Sequence, residues 1–134
     1  MSDRRFAGDD AVKIATLLNV ILKGGYLKDM DRLAILALLE ARPGKEGQVE
    51  EFLKSALPPV QAEIGTTSWY ALKMSSSKFG IFDTFANQEG RDAHLSGEVA
   101  KALFAKAEEL FAKAPTIEQP EILALKAPAV HPSI

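Results

Sequence analysis

KFGIFDTFANQEGRDAHL, residues Lys78 to Leu95, changes its period halfway along. Up to Phe85 the residues alternate as in a strand, with Phe79, Ile81, Asp83 and Phe85 on one face and Gly80, Phe82 and Thr84 on the other. Asn87 then supplies an N-cap, and the polar run to Leu95 reads as a short helix carrying His94. A strand that feeds straight into a helix fixes one corner of the fold. The same corner holds a carboxylate in an apolar strand and the only histidine outside the C-terminal tail.

Upstream, Thr66 to Met74 (TTSWYALKM) is rich in β-branched and aromatic residues and reads as a strand. The polar turn Ser75-Ser76-Ser77 joins it to the next strand as an antiparallel hairpin. Trp69 and Tyr70 fall on opposite faces, one towards helices and one away, with core packing the default role for both. Before the hairpin, Val49, Phe52, Leu53, Ala56, Leu57, Val60 and Ile64 make an apolar stripe on a helix from Lys45 towards Ala62. Pro58-Pro59 removes two donors there, so a kink is expected. Earlier still, RLAILALLEA (Arg32 to Ala41) has helix propensity, but Pro43-Gly44 stops it and an amphipathic helix follows at once. It reads as a buried strand.

Downstream, Ser96 is the expected N-cap of a longer helix carrying Val99, Leu103, Leu110 and Phe111, ended by Pro115. A last strand is expected over Thr116 to Lys126, with a bulge or an edge position at Pro120. At the other end, Asp9 or Asp10 caps a helix with Ile14, Leu17, Leu18 and Ile21, closed by Gly24-Gly25. The order is a helix and then β-α-β-β-α-β, an α+β ferredoxin-like fold. This divides the chain into an N-terminal helical extension (1–30), a ferredoxin-fold domain (31–127) and a tail (128–134). Strands apolar on both sides call for cover on the face the helices leave open. A second subunit's sheet is the natural partner, so a homodimer is expected.

Composition narrows the functional classes. A formal charge of −2 with no basic stripe gives no reason to expect nucleic acid. The run Ala11 to Leu22 is broken by charge and falls short of the ~20 apolar residues of a membrane span. With no cysteine, thiolate catalysis and disulfides are excluded, which fits a cytoplasmic chain. The two histidines, His94 and His131, form no metal-ligand pattern, and phosphate-loop and nucleophile-elbow motifs are missing. An unperturbed imidazole titrates near neutrality, so His94 reads equally as a catalytic base or as a packed helix histidine. Asp83 needs a partner if buried, and Arg91 is the obvious one, making both structural.

The chain from about Arg32 to Lys126 resembles the antibiotic biosynthesis monooxygenase domain family, small dimeric α/β barrels. The likeness rests on Arg42-Pro43-Gly44-Lys45-Glu46 after the first strand, Ala62-Glu63-Ile64-Gly65 at the helix end, the aromatic strand at Trp69, and Phe79, Asp83, Phe85 and Ala93-His94-Leu95. Asp83 stands where the family has Glu, Phe85 where it has Trp, and Trp69 where it usually has Tyr. The resemblance implies a cofactor-independent oxygenase acting on a small aromatic, quinol-like molecule. It implies His94 as base or substrate hydrogen-bonder, and Trp69, Phe82 and Phe85 as pocket walls. The related haem-degrading branch is disfavoured, because His94, Phe104 and Ala37 stand where it carries Trp, His and Asn. A non-catalytic ligand-binding or structural barrel is the alternative, and an acid–base isomerase is a third class.

Overall fold

A computed structural model describes residues 32–126. The expected N-terminal helix and the expected tail lie outside the described residues. Nine elements follow in order: β1 (Leu33–Glu40), α1 (Glu46–Ser55), α2 (Leu57–Gln61), β2 (Thr66–Lys73), β3 (Lys78–Phe85), α3 (Gln88–Leu95), α4 (Glu98–Ala105), α5 (Ala107–Leu110) and β4 (Thr116–Glu118). The strands form one open antiparallel sheet in the order β2-β3-β1-β4, the ferredoxin-like arrangement expected from the sequence. The aliphatic run at Arg32 to Ala41 is indeed a central strand, paired along its whole length from Leu33↔Phe85 to Glu40↔Lys78.

The core lies between the sheet and the helices. Ala37, Leu39, Phe79 and Ile81 from the inner sheet face meet Val49 and Leu53 of α1, Leu103 of α4 and Leu110 of α5. The outer face carries Leu38, Tyr70, Leu72 and Met74, all exposed. Pro58-Pro59 acts as expected. The helix breaks at Ala56 and restarts as α2 with proline in its first turn, where a missing donor costs little.

Three boundaries differ from expectation, each for a local reason. Ser96 does not cap α4, because its hydroxyl donates back to the Asp92 carbonyl (3.1 Å) and Gly97 takes the N-cap place. The last helix does not reach Pro115. It breaks at Lys106 and ends at Leu110, so that Phe111 can turn extended, bridge to Ala41 and bury its ring. The last strand spans three residues rather than eleven, since Pro120 has no N–H for the ladder. Its carbonyl still accepts from Ala34 N (3.1 Å), and Ile122 N donates to the Arg32 carbonyl (2.6 Å), so the edge segment stays tied to β1.

Candidate functional site

Alternation along β3 turns Phe79, Ile81, Asp83 and Phe85 inward, all buried. Asp83 lies opposite Ile35 of β1 and Trp69 of β2. Trp69 is on this face because β2 carries a bulge: Thr66 faces Phe85 and Ser68 faces Thr84, one residue more than β3 offers. The extra residue brings Thr66 and Trp69 to the same side despite their odd spacing and sends Tyr70 outward. The sequence left open which aromatic points in. The bulge settles it as Trp69.

His94 arrives from above. The Asn87 side chain accepts from Gly90 N (2.8 Å) and starts α3. Gly90, Arg91 and His94 are its buried residues, with Gly90 and His94 one turn apart on a common face. Gly90 crosses Gly65 at such close range that a Cβ built on either would lie 2.7 Å from the other's backbone. That crossing brings the segment before β2 against α3. His94 Nδ1 thereby lies 2.6 Å from Glu63 Oε1, and Nε2 lies 3.0 Å from Asp83 Oδ2. Glu63 Oε1 also accepts from the Thr66 hydroxyl (2.7 Å), and the Phe85 ring stands 5.3 Å from the imidazole.

The three groups form a graded series in depth, with side chains 22% exposed at Glu63, 9% at His94 and 0% at Asp83. An imidazole facing a carboxylate at each nitrogen requires an extra proton, either on its second nitrogen or on one of the acids. Both inner groups reflect this. Burial pushes the Asp83 carboxyl above its usual range, against the opposing pull of His94. Burial works against the charged form of His94, but Asp83 and Glu63 together outweigh it and hold the imidazole above its ordinary value. The Asp83–His94 contact has ion-pair distance without the alignment of a directed hydrogen bond, so both carboxyl oxygens lack one. The indole N–H of Trp69, on the neighbouring strand, is also buried without a partner.

Of the residues singled out in the sequence, Asp83, His94, Phe85 and Trp69 share the inner face. Phe82 does not. It lies opposite Tyr70 on the outer face, as strict alternation after Ile81 requires, so it cannot wall a pocket with the others. The expected Asp83–Arg91 bridge does not form either. Arg91 donates instead to the carbonyls of Ala34 (3.2 Å) and Pro120 (3.4 Å) and to the Gln88 side chain (3.2 Å), anchoring α3 over β1 and the Pro120 segment. Glu63 was not singled out, because it lies just beyond a helix with no periodic signal, and only the glycine crossing brings it to His94. Among the described residues no group of side chains could hold a metal ion.

A concavity of about 650 Å³ beside α1, lined by Phe52, Lys106 and Leu110 among others, excludes all three members of the series. A neighbouring cavity of about 250 Å³ opens between α1–α2 and α4. Ala56 and Val99 line it and also pack on Trp69, which connects it to the aromatic side of the site.

Fold and site together define a ferredoxin-like α+β protein with a buried acid–base cluster on its inner sheet face. No family model matches the chain, and no curated protein does. A protein of unknown function from Nitrosomonas europaea with a crystal structure is 51% identical, over 76% of this chain and 99% of that one, with a TM-score of 0.72. The chain belongs to the family of that protein. More distant structures share the fold. One from Pseudomonas aeruginosa is 22% identical over 70% of this chain and 96% of that one (TM-score 0.62). A provisionally named antibiotic biosynthesis monooxygenase from Caulobacter crescentus is 19% identical over 73% and 95% (TM-score 0.62). Among the described residues no helix is long and apolar enough to cross a membrane.

Proposed function

We propose that this protein is a cofactor-independent monooxygenase that oxidises a small aromatic, quinol-like substrate with molecular oxygen. The observation that carries the reading is the buried His94–Asp83 pair (3.0 Å) on a face shared with Phe85 and Trp69. Such a face can receive an aromatic ring and take a hydroxyl proton where water is scarce. The resulting oxyanion is electron-rich and is itself the reductant of oxygen. One oxygen atom enters the ring as a carbonyl, and the other leaves as water with the two displaced hydrogens. The fold shared with provisionally named antibiotic biosynthesis monooxygenases supports the reading. Oxygen uptake with a panel of hydroquinones and anthrones tests it, and His94→Ala should lower kcat at least ~100-fold. Equal uptake by that variant removes His94 from the chemistry.

A second reading, a non-catalytic ligand-binding or structural barrel, has its own observation: carboxylates already face both nitrogens of His94. It predicts no oxygen uptake with any of the panel.

For the outer sheet face the occupant we propose is a second copy of this chain. Leu38, Tyr70, Leu72 and Met74 form an exposed apolar surface on a sheet whose other side is already covered. A two-fold axis would set this surface against the same surface of the second copy and cover both.

A further inference from the structure

We propose that Asp83, not His94, meets the substrate hydroxyl, and that His94 and Glu63 relay the proton outward to solvent. The inference rests on the proposed acid–base function of this site and assigns its parts. Carboxylates engage both nitrogens of His94, so the imidazole has no free nitrogen for a substrate. Asp83 Oδ1 has no partner, and neither has the Trp69 indole N–H on the directly paired residue of β2. A buried acceptor and a buried donor each lose their hydration when left without a partner. A ligand hydroxyl, which donates to one and accepts from the other, offsets both. Trp69 also borders the approach, since Ala56 and Val99 pack on it and line the 250 Å³ cavity. The ligand is therefore an aromatic molecule bearing a hydroxyl, with the ring on Trp69 and the oxygen at Asp83.

The relay balances proton for proton. In the resting site Asp83 carries a proton on Oδ2 facing His94 Nε2, and His94 Nδ1–H donates to Glu63. The substrate O–H proton passes to Asp83 Oδ1 while the Oδ2 proton passes to Nε2. The Nδ1 proton passes to Glu63 and then to water, which the partly exposed carboxylate can reach. The substrate is left as an oxyanion facing the Trp69 N–H, and the chain resets when the departing oxygen takes the Oδ1 proton, the Nε2 proton returns to Asp83 Oδ2, and a solvent proton returns through Glu63 to Nδ1. Contacts loose in the free protein tighten around a bound ligand. The groups facing His94 are Glu63 from the α2–β2 segment and Asp83 and the Phe85 ring from β3. The Arg91 guanidinium, one turn back on α3, is committed to carbonyls elsewhere. No other charge competes for the proton among these contacts.

The test uses 4-nitrophenol, whose phenolate absorbs visibly and which is too poor a reductant to turn over. Wild type, Asp83→Asn and Glu63→Gln are mixed with it in stopped flow beside a pH indicator. Wild type should bind it as phenolate and release one proton per site. Asp83→Asn should bind it neutral with no release, and should lose ~100-fold in kcat on an active quinol. Glu63→Gln should still form phenolate but release its proton more slowly, with formate buffer restoring the rate. Phenolate and proton release persisting in Asp83→Asn, or unslowed release in Glu63→Gln, overturns the relay. So does failure of wild type to bind the phenol. If Asp83→Asn does not fold, Glu63→Gln, at a partly exposed position, decides alone. Phenol ionisation without oxygen uptake leaves the relay standing and sinks the monooxygenase. Undiminished oxygen uptake by Asp83→Asn does the reverse.

Discussion

Gly90→Ala should dismantle the site from a position that carries no functional group. The new Cβ would lie 2.7 Å from the Gly65 carbonyl oxygen, with the Gly65 Cα at 3.1 Å. An ordinary contact begins near 3.4 Å, so α3 and the Gly65 segment must part by about 0.7 Å. Neither side yields easily. The Gly65 carbonyl is tied to Ala86 N (3.1 Å), and Arg91 anchors α3. Overpacking of this kind costs about 1–3 kcal/mol, against a helix-propensity gain of up to ~1 kcal/mol on replacing glycine. The net loss is about 1–2 kcal/mol, which in a domain this small lowers Tm by very roughly 5–15 °C. Chemically, a displacement of that size stretches the 2.6 Å His94–Glu63 bond beyond 3 Å and lets the imidazole lose its proton at lower pH. Thermal melts and histidine NMR titration read the two effects. Gly47→Ala is the matched control: it lies in α1 with nothing within 4 Å of a new Cβ, and should stabilise by ~0.5–1 kcal/mol. Gly90→Ala as stable as wild type, with an unmoved His94 titration, would refute the account of the crossing.

Stability should fall as pH rises above neutrality. His94 is held above its unfolded value of about 6.5, so its contribution is complete below that pH and lost as pH climbs through the folded value. Asp83, raised rather than lowered, adds in the same direction instead of causing the usual acid loss. Urea melts from pH 6 to 9 should show a decline of at most ~1.4 kcal/mol per pH unit for one proton, shallower in Asp83→Asn. A rising profile, or equal slopes in the two proteins, counts against the shared proton. Phe85→Ala, at a fully buried ring beside His94, should cost about 3–5 kcal/mol in the same assay. Leu72→Glu places a charge on the open sheet face. In sedimentation velocity it should convert a wild-type dimer into a monomer, whereas a monomeric wild type at micromolar concentration removes that interface.

The fold was legible because its signals are local. Alternation in Lys78 to Phe85, the aliphatic run bounded by Pro43-Gly44, and the helical stripe from Val49 each act over one element. The errors fell where tertiary contacts decide. Ser96 had a cap residue's chemistry, yet its hydroxyl turned back onto α3, and Phe111 left a helical pattern because the core beside Ala41 took its ring. The site was half legible. Asp83 and His94 stood out as misfits to their surroundings, but their pairing did not, because it depends on the angle at which α3 crosses the sheet. Arg91, the nearer cation in sequence, was drawn away by the carbonyls of Ala34 and Pro120. Glu63 enters through the Gly65–Gly90 crossing, a contact between two residues whose sequence signal is the absence of a side chain.

Asp83 is costly for a fold that does not need it. Its neighbours in the inner row, Phe79, Ile81 and Phe85, show that apolar side chains fill this layer, and an apolar residue there would bring no buried carboxyl to satisfy. Instead the position holds an acid without an aligned donor, beside an indole N–H in the same condition. The histidine that faces the acid is itself held by a second carboxylate, and that carboxylate is brought in by two glycines packed backbone to backbone. Each support exists only because the previous one does, and none adds to the hydrophobic core. A chain of compensations that starts at one buried carboxyl and ends at solvent stabilises the fold poorly. It is well suited to moving a proton.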